Sequence, residues 1–191
     1  HGEQIFNMSA SFQVPESGLE HQFDAPKVAG PDGLETEETR RKRLSHQLPE
    51  AVRDHFTRPN PIEVRPVEEE DDLINPAKTP PYQHVWIKAN GTMPSDLAMH
   101  QCVLAYASDM TLLDTCLLPH GVSWFSGRLQ SASLDHAMWF HHPLRVDEWL
   151  LYAQDSPSAA GGRGFNRGSI FSRDGKLVAS VAQEGLIRLR S

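Results

Sequence analysis

The strongest constraint on this chain is an order of elements. Residues 97–118 form one long apolar helical stretch, and everything after it reads as strand. CVLAYA (102–107) is apolar nearly all round, so a helix there is expected to be buried on most sides. Four strand-like segments follow, at 128–141, 148–156, 163–173 and 176–190, with no helical pattern between them. Asp174-Gly175 marks a hairpin turn between the last two. Two strands precede the helix. IEVRPVE (62–68) is placed near a sheet edge by Pro66. HVWIKANG (84–91) puts Val85, Ile87 and Ala89 on one face. Pro94-Ser95-Asp96 opens the helix, with Ser95 or Asp96 as its cap, and His120-Gly121 ends it. A doubly wound α/β chain would need helices between the later strands. What remains is an α+β arrangement: a curved antiparallel sheet wrapped around a long central helix, its last four strands in a meander.

The first third has a different character. Phe6, Met8, Ala10 and Phe12 alternate with Asn7, Ser9 and Ser11, which predicts a half-buried strand over 5–12. A strand cannot fold alone. With no initiator Met, it suggests a chain that starts inside a larger protein. From Pro15 to Asn60 the chain is polar and broken by prolines, the pattern of a linker. TEETRRKRLSHQLPEAVRDHF (36–56) predicts a polar helix capped by Thr36 or Thr39, its charges a solvated face. EEEDD (68–72) lacks the glycine and spacing of a calcium loop.

Acidic residues outnumber basic ones, 25 to 18, for a net charge of -7, which argues against binding a nucleic-acid backbone. Cys102 and Cys116 fit neither a CxxC pair nor a disulfide framework, so buried thiols in a reducing compartment are expected. No run of 18 apolar residues predicts a membrane span, and HGEQIFNMS has no signal-peptide pattern. The closing IRLRS is not an SKL-type tripeptide.

Several residues could carry chemistry. Asp109 follows CVLAYAS within the apolar helix, where an unpaired charge is costly. It is either a general base that orients water or a carboxylate that answers a helix break. Ser133, in LQSASLDH, is either a structural serine or a working hydroxyl. Gln183 alternates onto a face with apolar neighbours, so its amide has to be hydrogen-bonded, to backbone or to a site. Asp135-His136 and His141-His142 invite a hydratase or a metal site, but no HxH or HExxH spacing is present. GVSWF (121–125) lacks the second glycine of a GxSxG elbow. AAGGRGFNRG (159–168) is not GxGxxG; its glycines are expected to permit sheet curvature. Arg163 and Arg167 there are either solvent-facing or placed to meet a phosphate.

IFNMSASFQ with EHQ (5–13, 20–22), IEVRPVE, WIKANG (86–91), HQCVLAYASDM (100–110), LPHG (118–121), SLDHAMWFHHP (133–143), EWLLYAQDSPSA (148–159), RGFNRGSIFSRDGKLVAS (163–180) and VAQEG (181–185) together resemble the acyl-CoA thioesterase II family, in the family's order. The resemblance is weakest over about 23–60. It implies a hotdog fold, in which two such domains pack side by side in one chain. On that basis residues 1–14 would be the closing strand of a preceding hotdog domain, 15–60 a linker, and 61–191 the second hotdog domain. It also implies hydrolysis of fatty acyl-CoA to free acid and coenzyme A by activated water, without metal or cofactor. The family's catalytic Asp, Ser or Thr, and Gln carry over onto Asp109, Ser133 and Gln183. Alternatives are an acyl-thioester hydratase or dehydratase using Asp135 and His136, and a non-catalytic acyl-CoA-binding hotdog. A homo-oligomer formed through hotdog domains is expected, in the cytoplasm, or in the peroxisome should a C-terminal tag follow.

Overall fold

The computed structural model describes residues 2–3 and 5–190. Seven strands form one antiparallel sheet: β1 (Ile62–Pro66), β2 (Tyr82–Ala89), β3 (Leu129–Ser133), β4 (Ala137–Phe140), β5 (Leu150–Ala160), β6 (Arg163–Ser172) and β7 (Leu177–Leu189). Their order across the sheet is β1-β2-β5-β6-β7-β3, with β4 also on β7. β5, β6 and β7 are a meander, as expected. The segment before them differs: it pairs with the far edge of β7 rather than with its chain neighbour. It is also two strands rather than one, broken over residues 134–136. Gly161 and Gly162, both at positive φ, make the tight β5–β6 turn. Gly168 has another reason: a Cβ there would fall 2.1 Å from the Tyr152 ring. This close packing, more than curvature, accounts for the glycine at that position.

The central helix is shorter than expected. α3 runs from Leu97 to Ser108, capped by Asp96, whose side chain accepts from Ala98 N. A 3-10 segment, Leu112–Cys116, carries the apolar run onward and packs on β5 and β6. By length and composition Leu97–His120 could cross a membrane; here that stretch is broken after Ser108 and lies against the sheet. Leu104, Ala107 and Leu112 meet Val64, Val85, Ile87, Leu150, Tyr152 and Ile170 in the main core. Each Val, Leu or Ile side chain among them is worth about 1.5–3 kcal/mol on full burial. The helix is not buried on most sides: Leu97, Met99 and Tyr106 are exposed. Cys102 lies on that open face and is an exposed free thiol, contrary to expectation. Only Cys116 is buried, and burial pushes its thiol up to about 11.

Residues 15–60 are less of a free linker than their composition suggests. Ala25, Val28 and Leu34 cover Trp86, Leu151 and Phe171 on the outer face of the sheet. Phe23 stacks edge-on against Phe171, and Trp86 Nε1 donates to Ala29 O at 2.8 Å. The polar helix is two, α1 (Glu37–Leu44), capped by Thr36, and α2 (Glu50–Phe56). Leu44 and Leu48 turn inward onto Leu73, so only part of this segment is a solvated face. Residues 5–14 are not a strand. Among the described residues no neighbouring strand supplies their hydrogen bonds, and Phe6, Met8 and Phe12 are exposed.

Candidate active site

The site forms where α3 stops. Asp109 is the C-cap of α3, and its side chain is 57% exposed rather than buried in the helix. The helix ends there because the chain tightens into the 3-10 segment. Three polar contacts fix that change of direction. Tyr152 donates from its hydroxyl to Ser108 O at 3.0 Å. Gln154 Nε2 donates to Thr111 Oγ1 at 2.6 Å, and Gln83 Nε2 donates to Thr111 O at 2.9 Å. Burial, and then the Asp109 charge, push the Tyr152 phenol well above its ordinary value, so it stays a donor. Sequence reasoning missed Tyr152, Gln83 and Gln154; glutamines in otherwise apolar strands were the available signal.

Gln183 is completely buried on the inner face of β7. Its amide nitrogen donates to Asp109 Oδ1 at 2.5 Å and to Ser133 Oγ at 3.0 Å. This amide orientation is the one that sets a donor, not a carbonyl, against the carboxylate. The three residues, far apart in sequence, therefore meet through one amide. Ser133 reaches it because β3 pairs with β7 in a register that places Ser133 opposite Gly185. No carboxylate or imidazole accepts a hydrogen bond from Ser133 among the described residues.

The Asp135-His136 pair has separable parts. Asp135 Oδ1 accepts from Glu184 N at 2.7 Å, replacing a ladder bond where β3 gives way to β4. His136 lies with Nε2 2.9 Å from Ser108 Oγ and Nδ1 3.8 Å from Asp109 Oδ1. His141 pairs with Ser180 on the exposed side. Arg167 forms an exposed ion pair with Asp155, and Arg163 one with Glu184. Among the described residues no group of His, Cys, Asp or Glu could hold a metal ion.

Asp109, Met110 and Ser133 face a cleft of about 1370 Å³ whose walls include Val64, Val85 and Leu113. Asp114 lies farther along it and accepts from Trp124 Nε1 at 2.6 Å. Desolvation pushes the Asp114 carboxyl up to about 7, with the Glu37 and Glu70 charges adding to it. The folded chain then holds a proton that the unfolded carboxyl, at 3.8, gives up across that window, so stability falls as pH rises through it. Glu70, raised by burial, acts in the same direction. Melting measured at about pH 5 and about pH 7.5 is expected to show the higher Tm at the lower pH, with Asp114→Asn shrinking the gap. A gap untouched by that substitution would assign it to other groups.

A family model described as acyl-CoA thioesterase matches residues 51–186. The chain is 40% identical to acyl-CoA thioesterase 2 of Haemophilus influenzae over 188 residues, which is 98% of this chain and 65% of that protein. It is similar to the crystal structure of an acyl-CoA thioesterase II from Mycobacterium marinum, with a TM-score of 0.68 and 39% identity over 94% of this chain and 61% of that one. A protein of unknown function with a hot dog fold, from Alicyclobacillus acidocaldarius, aligns with a TM-score of 0.62 at 15% identity, over 93% of this chain and 60% of that one, and bears on the fold alone. The curled sheet around its central helix is thus the hotdog fold. The chain spans less than two thirds of the length of each of these relatives.

Proposed function

The chain belongs to the acyl-CoA thioesterase family, and from that premise we propose that it hydrolyses fatty acyl-CoA to free acid and coenzyme A, with Asp109, Ser133 and Gln183 preparing the attacking water. The observation that carries this reading is the Gln183 amide, bonded at once to Asp109 and Ser133. Both amide protons are committed, so the amide fixes the two oxygens relative to each other. Asp109 Oδ2, which makes no hydrogen bond among the described residues, then accepts from water and takes its proton as the oxygen attacks the thioester carbon. Ser133, whose oxygen already accepts from Gln183, keeps its own proton to orient that water or the carbonyl. The carbon–sulfur bond breaks, the thiolate leaves, and the proton on Asp109 is available to it. The apolar walls of the cleft suit an acyl chain.

A hydratase is less well supported. It would need Asp135 free, whereas that carboxylate is tied to Glu184 N. A non-catalytic binder gives no reason for the three-residue cluster. The test is single turnover of an acyl-CoA in ¹⁸O-water, following thiol release and label together. Attack by water puts ¹⁸O in the first acid released. Unlabelled acid in the first turnover would mean an anhydride with Asp109 that water opens at the Asp109 carbonyl, thiol released ahead of labelled acid would mean an acyl-Ser133 ester, and no thiol release would remove the reading.

We read residues 61–191 as the catalytic hotdog domain, 15–60 as the segment that leads into it, and 1–14 as part of a neighbouring hotdog unit. The exposed Leu134 in the bulge, the exposed Trp139 on β4 and the open face of α3 support packing against a further hotdog, in the same chain or in another copy. Two unpaired cysteines favour a reducing compartment such as the cytoplasm, with the peroxisome as the other reading.

A further inference from the structure

We propose that His136 is a positioning residue for Asp109, an inference that rests on the thioesterase reading above. It begins with a count. Ser133 pairs with Gly185 and Ala137 with Ala182, so three residues, 134–136, stand opposite two, 183 and 184. That is a β-bulge, and bulges re-aim side chains. The bulge is clamped on both sides of Glu184: Leu134 N donates to Glu184 O at 2.9 Å, and Asp135 Oδ1 accepts from Glu184 N. Its third residue, His136, is thereby turned toward the end of α3, beside Gln183.

There the imidazole bridges two consecutive residues. Nε2 is 2.9 Å from Ser108 Oγ, and Nδ1 is 3.8 Å from Asp109 Oδ1. Oδ1 is the same oxygen that accepts from Gln183. Two groups thus converge on one carboxylate oxygen and leave the other to meet water. An exposed C-cap carboxylate held by Gln183 alone could still rotate about that single contact. A second donor fixes its plane. For Nδ1 to carry the proton, Ser108 gives its hydroxyl proton to Nε2 rather than to Ala105 O, which is 2.9 Å away, and the carboxylate at Nδ1 favours that arrangement. At 3.8 Å Nδ1 is within ion-pair but not hydrogen-bond distance of Oδ1, and the proposal includes its closing to a hydrogen bond when substrate is bound, as catalytic hydrogen bonds commonly do. Of the other groups nearby, Asp135 is tied to Glu184 N, Glu184 is paired with Arg163, and the Tyr152 hydroxyl is spent on Ser108 O.

The experiment compares three variants in the native protein, assayed by thiol release from acyl-CoA, with and without Asp109→Asn. Asn carries its amide nitrogen where Nδ1 stands, and Gln carries it where Nε2 stands. His136→Phe is expected to lower kcat about ten-fold with little change in KM. His136→Asn should restore most of that loss and His136→Gln should not. In the Asp109→Asn background the Phe substitution should cost almost nothing further. Rescue by Gln and not by Asn would make His136 a prop for Ser108, and an undiminished loss in the double variant would also overturn the proposal. Should Phe disturb folding, the contrast between Asn and Gln still decides. Unimpaired turnover in Asp109→Asn alone would overturn the proposal by removing Asp109 from the mechanism, whereas no thiol release by the unsubstituted protein would refute the thioesterase reading itself.

Discussion

Replacing Asp109 by Asn is expected to slow thiol release from acyl-CoA by about 10³-fold, in the range that loss of a general base produces. KM should move by less than about three-fold, because the carboxylate acts on water rather than holding substrate. The substitution suits the question. Asn is nearly isosteric and tolerated at a helix end, and the Asp109 side chain is more than half exposed, so melting should barely change. Asn can still accept from Gln183 through its carbonyl oxygen. What it lacks is the capacity to take a proton from water. Turnover within a few-fold of the unsubstituted protein would remove Asp109 from the mechanism, whatever its place in the structure.

Gln183→Glu is the second large effect, expected to cost about 10²-fold or more in kcat. The replacement keeps the length of the side chain and removes both donors. It also sets a carboxylate at the 2.5 Å contact with Asp109. Two acids that close cannot both ionise, so they share a proton and the base loses its availability. A charge in a side chain with no solvent exposure also costs stability, which a lowered Tm would report. Gln183→Met separates the two effects, since it removes the donors without adding charge. Full activity in the Met variant would show that the amide does not position the site.

Much of the fold was legible in the sequence because the signals were local. Alternation marked β2, β5, β6 and β7, Asp174-Gly175 marked their last turn, and Thr36 marked a helix start. The failures were contacts between distant segments. Residues 5–12 alternate as a strand should, yet alternation does not supply a partner. The apolar run at 97–118 looks like one buried helix, but hydropathy cannot show that Tyr152, Gln154 and Gln83 redirect the chain after Ser108. Cys102 reads as buried for the same reason. The residues of the cluster came from family resemblance rather than from spacing, and the amide that joins them is a tertiary fact. His136 entered the sequence reading only as a hydratase or metal candidate, because no spacing in the sequence places it beside Asp109.

The bulge at 134–136 has a further consequence for the edge ribbon, because it changes the parity of the chain. Ser133, opposite Gly185, shares the inner face with Gln183, so odd positions point inward on β3. Met138, opposite Val181, packs on the core, so even positions point inward on β4. A deletion of one residue between Leu134 and His136 would rejoin the two strands in a single phase. Ser133 and Met138 would then stand four residues apart, both inward, with Met138 still opposite Val181, but the bulge that aims His136 at Asp109 would be gone. The extra residue therefore serves the aim of position 136 rather than the faces of the ribbon, which are the same with it or without it.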